Sequence, residues 1–515
     1  MSSFSAAMEA RRTGPVNRPM VTLAVMTTTL MIVLDTTIAN VALPHMQGSL
    51  NAAQDQVTWI LTSYIVASAI MTPLTGWLAA RLGRKTLFLV CIAGFTIASA
   101  LCGIANSIEE IVLFRLLQGV FGAPMLPMGQ SVLLDINPRE KHGQAMAIYG
   151  MGVMVGPILG PVLGGWLTEA YTWRWCFFII VPVGLAAAAG IFFFIHGDRQ
   201  AVPPKLDLAG FLMLSLGIGA LQMMLDRGQG EDWFASPEIW AEAALAFLGF
   251  WWFVIRTATA REPFVDRALF RDRNFVTSCV LGFFLGVMLF STLALLPPLM
   301  QRLMGYPAMQ TGIVLAPRGI GTLTAMLLMG RLVGKIDSRL IIAIGFGLNG
   351  LALWAMTHMA LGQDDRLIVI GGALQGLGLG MVFVPLTTIV FATIPPQLRT
   401  DASSLFTLVR NIGSSVGISI IGAIQLNNIG AARSSLAEHV RPDNPILQGG
   451  AFDIDTQVGL AQLNAEVGRQ AAMIAYIDAF YVTGILCLAC IPLLLLVRSP
   501  RRQAATPEPA HAVME

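Results

Sequence analysis

A carboxylate in the middle of an apolar run is the first residue in this chain that can do chemistry. Asp35 stands in MIVLDTTIANVALP, with Met31, Ile32, Val33 and Leu34 before it. An acid at mid-membrane costs about 2.5–3.5 kcal/mol on an insertion scale. Removal from water favours its neutral form, so such a residue can take up and release a proton. Arg115, in RLLQGVFGAP, is its candidate partner. At 1.5 Å per helical residue, Asp35 lies about 10 Å and Arg115 about 6–8 Å below the outer ends of their helices, depths that permit contact. A guanidinium beside the acid favours the ionised form, so making and breaking the pair would gate protonation. The plainer alternatives are a lumen-facing acid without a mechanistic role and an arginine that snorkels to the interface.

Other segments carry weaker chemical signals. GVMVGPILGPVLGG places Gly152, Gly156, Gly160 and Gly164 on one bare stripe, which lets another helix approach closely. Pro157 and Pro161 each remove a backbone hydrogen bond, and the whole reads as a kinked joint between two rocking halves. GWLAARLGRK supplies Gly76, Arg81, Gly83, Arg84 and Lys85, a candidate gating loop. Gln118, Arg318 in LAPRGIG and Arg410 in LVRNIG are candidate pathway residues. Cys487 and Cys490 have CxxC spacing, but inside ILCLACIPLLLLV they read as a buried pair on one helical face rather than a redox or metal site. There is no GxxxxGK[ST] or HExxH pattern. No catalytic residue, metal site or cofactor is therefore expected, and a nucleotide-driven pump would need its phosphate-binding loop on a partner chain.

The elements that must hold these residues follow from composition. Of 515 residues, 55% are hydrophobic and 12% charged, against about 25% charged in a soluble protein. The mean hydropathy is +0.69, and a net charge of +2 offers no basic face to nucleic acid. A span needs about 20 mainly apolar residues, and that rule finds fourteen, centred on 20–42, 57–79, 86–106, 111–134, 143–168, 175–196, 207–226, 239–256, 275–298, 311–333, 339–361, 367–391, 402–428 and 476–497. With the N-terminus inside, inner segments hold 22 of the 32 lysines and arginines and outer segments seven. The positive-inside rule then puts both termini in the cytoplasm and leaves a polar outer loop over about 429–475.

The chain also repeats itself. GWLAARLGRK at 76–85 answers GRLVGKIDSR at 330–339, and Gln118-Gly119 answers Gln375-Gly376. Repeated halves are the mark of a secondary transporter with its substrate site between them. The first basic loop follows span 2 and its copy follows span 10, so two extra helices, spans 7 and 8, separate two six-helix bundles. The expected organisation is a tail over 1–19, a first bundle over 20–200, inserted helices over 201–260, a second bundle over 261–497 and a tail over 498–515. The repeat partner of Asp35 is Leu289, so the fold itself does not require the acid.

These segments resemble the major facilitator superfamily, and within it the fourteen-span drug:proton antiporters of the EmrB/QacA type. LDTTIANVALP, GWLAARLGRK, RLLQGVFG, GVMVGPILGPVLGG, WRWCFFIIVPVG, LAPRGIG and LVRNIGSSVG are similar to that family's motifs, in order. The resemblance implies an all-α major facilitator fold and proton-coupled export of amphipathic or hydrophobic drugs across the inner membrane of a bacterium. It also implies a periplasmic adaptor of the EmrA type with an outer-membrane channel. Export of a metabolite, fatty acid or siderophore, uptake by symport, and a non-transporting scaffold are the alternatives; the span-5 motif argues against symport. The pattern's usual loop acid is replaced by Ala80 in the first copy and Gly334 in the second, and its span-6 Asn by Ile180. Conformational locking is accordingly expected to rest on Arg81, Arg84 and Lys85 alone.

Overall fold

The computed structural model describes residues 17–195, 205–440 and 456–497. The sequence-expected terminal tails therefore lie almost wholly outside the described residues.

Among the described residues, fourteen helices are long and apolar enough to cross a membrane. Spans 1 to 6 are Arg18–Ser49, Gln56–Leu82, Arg84–Ile104, Ile108–Ile136, Arg139–Ala170 and Trp175–Phe194. Spans 7 and 8 are Leu208–Arg227 and Pro237–Thr259. Spans 9 to 14 are Arg273–Leu303, Met309–Leu332, Ser338–Met356, Arg366–Val390, Pro396–Glu438 and Gln457–Leu496. Helices dominate because a chain in lipid must satisfy every backbone polar group within its own segment. Where they begin near water, short polar side chains close the first turn. Ser107 caps Glu110, Asp207 caps Gly210, Ser236 caps Glu238 and Asp272 caps Phe275. Gly83 and Gly334 turn the chain between spans 2 and 3 and between spans 10 and 11, with φ of +81° and +90°. Glycine adopts such a φ without the steric cost a side chain would bring. Gly334 thus serves a turn where the family pattern carries an acid.

Spans 1 to 6 pack on one another, span 1 against spans 5 and 6 and span 4 against spans 2 and 3. Spans 9 to 14 repeat the plan, with span 9 against span 13 and span 12 against spans 10 and 11. The two bundles meet chiefly where span 5 lies along span 10 and where spans 2 and 4 meet span 13. Spans 7 and 8 form their own close pair, since a Cβ on Gly249 would stand 2.5 Å from the Gly217 nitrogen. Span 7 touches span 2 of the first bundle and span 13 of the second. There Ser419 Oγ donates to the Leu225 carbonyl at 2.5 Å and Gln229 Nε2 to the Ser419 carbonyl at 3.2 Å.

One segment differs from expectation. Among the described residues, the region read as a polar loop over 429–475 is mostly helix: span 13 continues to Glu438 and span 14 begins at Gln457. The two extensions are joined by Arg433 to Asn464 and Asn428 to Asp478, both at 2.9 Å. A search for about 20 apolar residues finds the membrane. It passes over IGAARSSLAE and GLAQLNAEVGRQ, which are polar yet built from good helix formers.

Candidate functional site

Asp35 sits midway along span 1 at 1% exposure, and Arg115 in span 4 is fully buried. Arg115 Nη1 donates to Asp35 Oδ2 at 2.7 Å. The structure therefore brings together the two residues that depth alone had placed level. It also adds a third. Gln118, one turn beyond Arg115, donates through Nε2 to Asp35 Oδ1 and accepts from Arg115 Nη1 through Oε1, both at 2.7 Å. Each carboxylate oxygen thus has its own donor. Arg115 Nε donates to the Ile60 carbonyl at 3.2 Å, and the guanidinium lies over the Tyr64 ring at 4.5 Å from its centroid. Burying an ion pair is tolerable only when further hydrogen bonds satisfy both partners, and this one is closed on every side. The sequence offers Gln118 as a pathway candidate and as part of the repeat; its bridging position needs the fold, as does the plate made by Tyr64.

The glycine stripe of span 5 does not face the second bundle. Cβ atoms built on Gly152, Gly156, Gly160 and Gly164 would meet Met26, Val33, Thr37 and Val41, all on span 1. Thr37 Oγ1 donates to the Gly156 carbonyl at 3.2 Å. This face presses span 5 onto the helix that carries Asp35, the close contact with another helix that the spacing announces. The helix runs on through Pro157 and Pro161 to Ala170. The other face of span 5 meets the second bundle, through Gly143 against Val333, Gly150 against Met326 and Phe383, and Ile158 against Gly319. Gly413 and Gly417 of span 13 pack in the same close way on Phe283 and Val287 of span 9, a copy of the stripe that alignment of the loops did not reveal.

At the end of the bundle that carries the basic loops, the two halves are fastened. Asp135 of span 4 pairs with Arg84 in its own half and, at 2.5 Å, with Arg399 of span 13. Ser403 Oγ donates to Gln130 Oε1 at 2.6 Å, and the Ser131 and Thr400 hydroxyls are 3.0 Å apart. Gly76 abuts Asp401, whose Oδ1 would collide with any Cβ there. The expectation that locking rests on Arg81, Arg84 and Lys85 alone is therefore corrected. Arg84 engages, but the acid comes from Asp135 and the bridging cation from Arg399. Arg81 instead covers the Trp77 ring, and Lys85 donates to the Phe192 carbonyl, both within the first half. Hydrogen bonds to charged groups contribute about 1.5–3 kcal/mol, so Asp135→Asn should open this end roughly tenfold more often. The measurement is disulfide formation in a Ser131→Cys, Thr400→Cys chain. An Asp135→Asn background should slow it, and an unchanged rate would refute the latch.

Arg318 is 7% and Arg410 9% exposed, each in the second half. Arg318 Nη2 donates to the Leu289 carbonyl at 3.3 Å, and Arg410 lies 5.8 Å from the Phe383 ring centroid. Neither joins the Asp35 cluster. Ile180 is fully buried among the helices of the first half. The six cysteines are free thiols, and no group of His, Cys, Asp and Glu among the described residues has the arrangement of a metal site.

Two repeated bundles of six spans with two further spans beside them, latched to each other at one end and holding a buried ion pair within the first, define a membrane transporter of the alternating-access kind. Residues 25–418 match the Major Facilitator Superfamily model, and the chain belongs to that superfamily. It is 36% identical to the multidrug export protein EmrB of Haemophilus influenzae over 93% of this chain and 96% of that one. It is 37% identical to the fatty acid resistance protein FarB of Neisseria gonorrhoeae, with the same coverage. Among solved structures it resembles the proton:xylose symporter XylE, with a TM-score of 0.60, 12% identity and coverage of 94% of this chain and 96% of that one. At that identity the likeness speaks for the fold.

Proposed function

We propose that this chain is a proton-coupled exporter of amphipathic and hydrophobic compounds, working by alternating access. The observation that carries the proposal is the buried Asp35–Arg115–Gln118 cluster, a titratable acid held at 2.7 Å by a cation it can leave. Protonation of Asp35 removes its half of the ion pair. Arg115 then remains on Gln118, Ile60 and Tyr64, and span 1 is released to shift against span 5. With the basic loops in the cytoplasm, the latch at Asp135 and Arg399 closes the cytoplasmic end, and the proton arrives from the other side. One charge crossing about 100 mV supplies roughly 2.3 kcal/mol, enough for a gradient somewhat above tenfold.

Multidrug export by the EmrB proteins, 34% and 36% identical to this chain, supports drug-like cargo. The fatty acid resistance protein at 37% identity favours a second reading, export of fatty acids by the same cycle. We place the chain in a bacterial inner membrane with both termini cytoplasmic. A periplasmic adaptor of the EmrA type and an outer-membrane channel would continue the path, and the helical extensions of spans 13 and 14 would lie on that side. Purified protein in liposomes with an imposed pH gradient tests the proposal. Addition of cargo should collapse the gradient, and silence across a broad panel would favour a scaffold instead.

A further inference from the structure

The two bundles meet along two seams, one between spans 5 and 10 and the other between spans 13 and 2. The repeat makes them copies of each other. In the first, Gly330 of span 10 abuts Gln144 and Ala147 of span 5; in the second, Gly76 of span 2 abuts Asp401 of span 13. Gly76 and Gly330 are 254 residues apart and Gln144 and Asp401 257, the offsets that relate the rest of the two halves.

Along the first seam the contacts climb from the latched end. Val333 meets Gly143, Gly330 meets Ala147, Met326 meets Gly150 and Gly319 meets Ile158. The helices are antiparallel, so the same stripes continued for two turns set Gly165 opposite Gly312. A Cβ built on either glycine would meet nothing within 4 Å. The seam has therefore parted there, about 10 Å beyond Ile158. Its borders are apolar and exposed: Val162 and Trp166 on span 5, Met309 and Ile313 on span 10.

At the copy, the same place is taken. Gly422, 257 residues after Gly165, faces Gln229, whose Nε2 would stand 2.1 Å from a Cβ there. Gln229 Nε2 also donates to the Ser419 carbonyl at 3.2 Å, and Ser419 Oγ donates to the Leu225 carbonyl. On the opposite wall Asp226 holds the Thr62 hydroxyl, and Ile70 lies 3.3 Å from a Cβ built on Gly219. Span 7 is thus wedged into the second seam and bonded to both of its walls. The inserted helix breaks the symmetry of the repeat, closing one side of the molecule and leaving the other parted.

We propose that the parted seam between spans 5 and 10 is a lateral portal. Through it the alkyl tail of an amphiphilic cargo reaches the outer leaflet while the head group is still in the cleft, and span 7 seals the matching exit on the other side. This rests on the exporter reading and adds the route its cargo takes. A tail that had to leave through water would slow the exit about fourfold for every methylene it carries. A tail that slides into lipid does not meet that barrier.

The test uses the full chain in liposomes. A phosphatidylcholine with a diazirine in its acyl chain is activated by light, and its adducts on the unmutated protein are mapped by mass spectrometry. Gly165 and Gly312 should be labelled, and Gly422 and Thr62, behind span 7, should not. Labelling of both seams alike, or of neither, would overturn the portal. Export of hexyl-, octyl- and decyltrimethylammonium under one pH gradient then reads the route. The wild type should export the three at similar rates. Gly312→Trp, which fills the gap, should slow export about fourfold for each added methylene, and Gly312→Ala should match the wild type. If Gly312→Trp removes the lipid label yet keeps the wild-type indifference to tail length, the gap holds bilayer lipid only and the cargo portal is refuted. Wild-type measurements decide even if the tryptophan variant does not fold. A wild type that exports all three but slows fourfold per methylene sinks the portal alone, whereas one that exports none sinks the exporter reading as well.

Discussion

Asp35→Asn should reduce gradient-driven export to the level of empty liposomes while cargo still binds. The amide is the same size as the acid, so the substituted side chain can keep one oxygen on Arg115 and span 1 can stay where it is. What it loses is the ability to change charge. With that gone, the step in which the Arg115 pair is broken by a proton has no counterpart, and the imposed pH gradient is no longer coupled to movement. The substitution also leaves Arg115 buried without its counter-ion, and breaking a buried pair in this way costs about 3–5 kcal/mol. A fall in thermal stability is therefore expected beside the loss of transport. The two effects can be separated. Asp35→Asn with Arg115→Gln removes both charges and should recover much of the stability, but none of the coupled export. Gradient-free exchange of cargo across the liposome membrane should persist in all these variants. Full export by Asp35→Asn would remove this acid from the mechanism. Infrared titration of the wild-type carboxyl gives an independent check, since a group that never changes ionisation across the working pH range cannot serve as the carrier.

How far the site was legible in the sequence depends on what each contact required. The spans were legible because lipid imposes one long apolar stretch per crossing. The pairing of Asp35 with Arg115 was legible because depth along a helix is a matter of counting, and two costly charges at one depth have strong reason to meet. Direction around the helix was not. The stripe of Gly152, Gly156, Gly160 and Gly164 announces a close neighbour by its spacing, yet nothing in the spacing says which helix that is. The structure answers with span 1 rather than the other half. The latch was hidden for a similar reason. Asp135 and Arg399 are 264 residues apart, and each alone is an unremarkable charge at a helix end. The loop residues Arg81 and Lys85 looked like the better candidates because they sit in a recognisable motif, but their partners lie in their own half. The helical extensions near 429–438 and 457–475 were missed because amphipathic or polar helix outside the membrane leaves no trace in a hydropathy window.

The contact of the glycine stripe with span 1 decides what its mutation should do. A Cβ on Gly156 would stand 2.2 Å from Val33 Cγ1 and 2.9 Å from the Val33 carbonyl carbon. A side chain can rotate away, but the backbone of span 1 cannot yield without moving the helix. Val33 is two residues from Asp35, so Gly156→Leu should displace the acid from Arg115 and Gln118, whose bonds to it are only 2.7 Å long. Overpacking of this sort costs about 1–3 kcal/mol, and transport should be lost with it. Gly165→Leu, where nothing lies within 4 Å of the added Cβ, is the control and should be tolerated. A joint between halves and a brace for Asp35 predict different rescues. If the stripe works by seating span 1, enlarging Gly156 to valine while shrinking Val33 to glycine exchanges the volumes across one contact and should restore part of the export. Were the stripe instead a sliding surface for the second bundle, trimming Val33 would bring nothing back, because Val33 lies in the first. Failure of the double substitution to improve on Gly156→Val, in protein that reaches the membrane in normal amount, would therefore return the stripe to the hinge. Recovery ties the small residues of span 5 to the placement of a single carboxylate.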